Sequence, residues 1–132
     1  MTRRQLIFAR IVFAVYIIAV LVLCFARFPE TDDVPKELWG LPLDKIVHFL
    51  MFFPFPILAC LAFDRFTEKP WRSVFWATVS FLAGTALAAC TELVQSRLAY
   101  RSGDPADFKA DAIALFAGSL FILIVILVKH KK

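Results

Sequence analysis

Along the chain, apolar residues gather in four long runs, and the stretches between them hold nearly all of the charge. The runs extend from about Leu6 to Ala26, Ile46 to Phe63, Val74 to Leu93 and Ala112 to Val128. Each is near the roughly 17 to 25 residues that an α-helix needs to cross a bilayer. No water reaches the hydrocarbon to satisfy backbone groups, so the helix, whose hydrogen bonds are internal, is the form such a run takes. The pattern predicts an all-α fold, a polytopic membrane protein with four transmembrane helices in an antiparallel bundle, making one domain over residues 1–132.

Details within the runs refine this expectation. Arg10 interrupts the first run near its end, where its long side chain can snorkel toward the headgroups. A basic start before an apolar stretch also fits a cleaved signal, but this stretch is long and no A-x-A-like site follows, so it is read as a retained helix. Pro54 and Pro56 fall inside the second run and predict a kink, because each removes a backbone donor. Gly84, Ala86, Ala88 and Ala89 in the third run, with Gly118 and Ser119 in the fourth, are small enough to let helix backbones approach closely. Pro29, Pro35, Trp39, Gly40 and Pro42 predict an irregular connection between the first two spans that folds back over the membrane surface.

Composition agrees with a chain dissolved in lipid: 61% of residues are hydrophobic and 15% aromatic, against about half apolar in soluble domains. The net charge of +4 reads as topology, since no aromatic-interleaved basic surface remains for nucleic acid once the spans are set aside. Arg3, Arg4, Arg10, Arg65, Lys69, Arg72, Lys129, Lys131 and Lys132 lie on one side, nine basic residues. Arg27, Lys36, Lys45, Arg97, Arg101 and Lys109, six, lie on the other over longer segments. The positive-inside rule then places both termini in the cytoplasm. Cys24, Cys60 and Cys90 each sit inside an apolar run with no C-x-x-C pair, and are read as small packing residues.

The chemistry concentrates at the other side. Asp44 and His48, four apart, share a helical face where the second span opens. Glu92 and Gln95 do so where the third span closes, and Arg101, Asp104, Asp107 and Asp111 lead into the fourth. Charges facing hydrocarbon cost several kcal/mol, about 2.5–3.5 on insertion scales, so these groups should pair or line a wet cavity. His48 and Glu92 could form an acid–base pair, with Asp107 orienting it. His48, Glu92, Asp107 and Asp111 could instead bind a divalent metal. Lys45 and Arg101 suit a phosphate or carboxylate. Alternatively, Lys45 and Arg101 neutralise Glu92, Asp107 and Asp111 in an ion network that only locks the bundle.

At these positions the sequence resembles the VanZ-like family, whose founding member is a membrane protein linked with low-level resistance to the glycopeptide teicoplanin. The carriers are Asp44-Lys45-x-x-His48-Phe49, Glu92-Leu93-Val94-Gln95, Arg101 with Asp107 six residues on, Asp111 and Gly118, so the likeness covers about Asp44 to Gly118. The family usually has Asn where this chain has Asp111, which adds a negative charge to the site. The resemblance implies a multi-pass protein of the bacterial cytoplasmic membrane associated with antibiotic resistance, but no reaction. No glycine-rich phosphate loop, nucleophile elbow or H-E-x-x-H helix is present. Three roles stay open: acting on or binding an anionic lipid-linked or glycopeptide-related envelope ligand through Asp44, Lys45, Gln95, Arg101 and Asp111; a small carrier or flipping protein, which would need a homo-oligomer; and a non-catalytic binding or assembly module.

Overall fold

The computed structural model describes residues 1–26, 35, 37–64, 69–99 and 105–132. In chain order it contains α1 (Arg3–Phe25), β1 (Glu37–Leu38), β2 (Leu41–Pro42), α2 (Leu43–Phe52), α3 (Pro54–Ala62), α4 (Pro70–Gln95) and α5 (Pro105–Lys131). Four helical segments are long and apolar enough to cross a membrane: α1, the joined α2–α3 over Leu43–Ala62, α4 and α5. The protein is therefore an all-α, multi-pass membrane protein, as the run pattern predicts.

Most helices outrun their apolar stretches, and this places the site. α2 begins at Leu43, α4 runs from Pro70 to Gln95, and α5 begins at Pro105. Proline suits the first position of a helix, where no donor is needed and its φ is already helical. Helical hydrogen bonding thus starts in the interfacial layer, before the apolar residues do. As a result Asp44, Lys45, Glu92, Gln95, Asp107 and Asp111 all ride on helices at one end of the bundle. α1 opens with a capping box in which the Gln5 amide donates to Thr2 Oγ1 at 3.2 Å and the Thr2 amide donates to Gln5 Oε1 at 2.9 Å.

α5 lies against α4 along much of its length and against both α2 and α3, while α1 packs mainly on α3. The larger core joins Val20 and Cys24 of α1 to Met51, Phe52, Phe55, Ala88, Ala114 and Leu115, and a second cluster joins Cys60 to Ile122 and Ile126. The buried positions of α4 are Ser73, Ala77, Ser80, Gly84, Ala88, Thr91 and Gln95. Their spacing of three and four makes one stripe of small and polar residues. Gly84 and Ala88 belong to it, whereas Ala86 and Ala89 are exposed, since a residue two or five positions along a helix cannot share the stripe. Gly118 and Ser119 are both buried.

The expected disturbance at Pro54 and Pro56 appears as an interrupted bonding ladder between α2 and α3, with Phe53 itself at helical torsions, φ −54° and ψ −42°. Pro54 and Pro56 supply no N–H to the carbonyls four residues back. Gly118 is where α5 closes on this segment: a Cβ there would collide with the Phe53 carbonyl oxygen and meet Pro56 Cδ at 3.2 Å.

Two further differences concern the first connection and α1. The described part of the connection is an ordered hairpin, with Glu37 paired to Pro42 and Leu38 to Leu41. Its two turn residues, Trp39 at φ 53° and Gly40 at φ 76°, have the paired positive φ of the turn that matches strand twist. Glycine adopts this freely, but a tryptophan held there stores strain of about 1–3 kcal/mol. Arg10 turns its Nε to the Ala62 carbonyl at 3.1 Å, satisfying one of the orphan acceptors at the end of α3. Phe13 packs edge-on to Phe55 and Phe63, with ring centroids 5.7 and 6.2 Å away, so α1 is pinned to α3 at two levels.

Candidate functional site

Pro42 passes straight from the hairpin into α2 as its N-cap, so the first turn of α2 sits at the membrane face with Lys45 and His48 three residues apart. Opposite them α5 presents Asp107 and Asp111, four apart and hence one above the other. Lys45 Nζ reaches Asp44 Oδ2 at 3.0 Å and forms a close ion pair with Asp107 Oδ1. His48 Nε2 lies 3.6 Å from Asp107 Oδ2, and Nδ1 lies 2.9 Å from Asp111 Oδ1. The contacts form one run, Asp44–Lys45–Asp107–His48–Asp111, and it descends from water into the bundle. Side-chain exposure falls from 61% at Asp44 to 21% at Lys45, 13% at Asp107, 10% at His48 and 1% at Asp111.

This order fixes what the imidazole can do. With Asp111 ionised, Nδ1 carries the proton and donates to it, which sets the ring's tautomer and orientation and leaves Nε2 as the nitrogen that exchanges protons. Asp107 then faces Nε2 with one oxygen and holds Lys45 with the other. Asp111, Asp107 and Glu92 all act electrostatically on His48. Glu92 stands at the end of α4, half-buried, with Oε2 shielded from solvent. A shallow recess of about 450 Å³ beside it is formed with Ala89, Leu93, Ser96, Pro105 and Phe108. A second groove, about 420 Å³, lies on the Lys45 side between Trp39, Leu41, Ile46, Phe49, Leu50, Ala110 and Ile113.

The structure brings Lys45, His48, Asp107 and Asp111 into direct contact, with Glu92 in electrostatic reach, and treats the remaining candidates differently. Asp44 shares the stripe of His48, but its carboxylate is in solvent, and among the described residues it meets the cluster through Lys45. Gln95 is buried, and its Nε2 donates to the Cys24 carbonyl at 2.8 Å. It closes an acceptor in the last turn of α1. Arg101 and Asp104 lie outside the described residues. Among the described residues, no three His, Cys, Asp or Glu side chains are grouped so that they could hold a metal ion.

One participant was not anticipated. The hydroxyl of Tyr16, in the middle of α1, donates to the Met51 carbonyl. A phenol inside an apolar run must find an acceptor, so Tyr16 was open to notice as the one tyrosine in a span.

Fold and site together define a small multi-pass helical membrane protein with an ionisable cluster built between its second and fourth spans at one face. Comparison of the chain with models of known families, with curated proteins and with solved structures returns no match.

Proposed function

We propose that this chain is a VanZ-like protein of the bacterial cytoplasmic membrane, with both termini in the cytoplasm, whose cluster faces the cell envelope and binds or acts on an anionic lipid-linked or glycopeptide-related ligand. One observation carries it: the run of contacts from exposed Asp44 to buried Asp111, with His48 oriented by one carboxylate and facing another. The run leads from solvent to a buried acid, and His48 is the group in it suited to exchange protons near neutral pH, with Nε2 standing 3.6 Å from Asp107, beyond hydrogen-bond reach. In the acting form, His48 exchanges protons with the ligand through Nε2, Asp111 orients the ring, Glu92 serves as the partner acid, and Lys45 and Arg101 receive the anion.

The test is the teicoplanin susceptibility of a sensitive host that makes the wild type, His48→Ala, Glu92→Gln or Arg101→Ala at matched membrane levels. Protection by the wild type alone is expected. Equal protection by all four would make the cluster a cross-link of the bundle, in keeping with a non-catalytic binding or assembly module. Protection by none would remove the link to resistance.

A further inference from the structure

The hairpin over Glu37–Pro42 has an apolar side that neither the bundle nor the site uses. Side chains alternate along a strand, so the cross-strand pair Leu38 and Leu41 shares one face and Glu37 belongs to the other. Leu38, Trp39 and Leu41 are all exposed, and Glu37 is the one charge between positions 37 and 42. Grouped apolar exposure of this kind marks contact with a partner or a membrane. Two observations select the membrane. No linker separates the hairpin from the second span: Pro42 ends β2 and is also the N-cap of α2, whose first residue, Leu43, opens that span. The hairpin therefore stands where the span leaves the hydrocarbon. In addition, Trp39 and Leu41 continue one carbon wall with Ile46, Phe49, Leu50 and Ile113. Leu50 and Ile113 face outward from spanning helices, where lipid is what surrounds them.

We propose that the hairpin is an interfacial anchor, with Leu38, Trp39 and Leu41 set at the boundary between headgroups and acyl chains of the surrounding bilayer and Glu37 turned to water. Tryptophan suits this layer because its ring is apolar while its N–H still finds water or a headgroup oxygen. The partner is bulk lipid of any headgroup, so the anchor selects no ligand for the cluster. Joined to α2 through Pro42, it ties the opening turn of that helix to the headgroup layer.

The full chain with Trp71→Phe and Trp76→Phe keeps Trp39 as its single indole. In phosphatidylcholine vesicles its emission is expected to lie to the blue of free tryptophan. It should fall most with lipid brominated high on the acyl chains, less with lipid brominated at the chain ends, and least with aqueous acrylamide. Leu38→Ser with Leu41→Ser should move the emission to the red and raise acrylamide quenching severalfold. The same chain carrying Glu37→Trp and Trp39→Phe should be quenched mainly by acrylamide, which keeps the test decisive if the serine variant loses its hairpin. Acrylamide quenching of Trp39 as strong as that of free tryptophan would overturn the inference by leaving the hairpin in water. Shielding from both acrylamide and brominated lipid would overturn it in favour of a protein cover, a second copy of this chain included. Equal quenching by lipid at positions 37 and 39 would remove the sidedness on which it rests.

Discussion

The second span meets α5 twice, and the two meetings are held by different physics. In the interior, Gly118 lets α5 come up to the Phe53 carbonyl, and Cys60 packs with Ile122 and Ile126. There the helices are joined by close approach, which is what association in lipid rewards, because burying apolar surface gains little when the solvent is itself apolar. At the membrane face the same helices are joined by Lys45, His48, Asp107 and Asp111. Well-packed apolar residues of similar volume usually hold such a contact as well or better, since buried charges must first be stripped of water. The interior half shows what the bundle needs to assemble. The polar half exceeds that need, and the excess is the physical case for a working site.

Four single substitutions and one double variant sharpen or break this contrast. The largest effect is expected from Asp111→Ala, which strands the His48 imidazole: about 3–5 kcal/mol, the usual loss when one member of a buried ionic pair is removed, read as a shift in reversible unfolding in mixed detergent. His48→Leu with Asp111→Leu should recover most of that stability, and a double variant no better than Asp111→Ala would mean that the polar half is needed for assembly after all. Next comes Gly118→Ala, at about 1–3 kcal/mol for overpacking, because the atom in its way is backbone. Gly84→Ala should cost less in the same assay, since its Cβ meets side-chain atoms of Leu115 and Phe55, which give way more readily than backbone. If Gly84→Ala proved the costlier, α4 and not the second span would set the spacing of α5. The smallest is Gln95→Leu, about 1 kcal/mol for one lost hydrogen bond to the Cys24 carbonyl.

Most of the bundle was legible in the sequence because a bilayer imposes one length and one polarity on every span. The four runs, the small stripe through Gly84 and Ala88, and the meeting of α2 and α5 at one face follow from that constraint and from helical spacing. Less legible was which of the polar residues would touch. Asp44 and Lys45 are neighbours in sequence, but whether the first turn of α2 is covered depends on where α5 begins, and Pro105 starts that helix seven residues before its apolar stretch. Gln95 carried the same signal as Glu92, a polar group at the end of a span, yet the carbonyl it satisfies belongs to α1, 71 positions away. The hairpin was hidden because Trp at a positive φ runs against residue preference, and the paired turn emerges only once Glu37–Leu38 and Leu41–Pro42 are aligned.

The spans differ in length in a way that ties the site to its solvent. Leu43–Ala62 has 20 residues, whereas α4 has 26 and α5 has 27. At 1.5 Å per residue the second span reaches about 30 Å, roughly one hydrocarbon thickness, and the other two about 40 Å. In a thicker membrane α4 and α5 can stand more upright, but the second span has no length in reserve, so the lipid around it must thin. That thinning draws the headgroup layer down toward Lys45 and His48, so bilayer thickness sets how deep in the membrane the cluster lies.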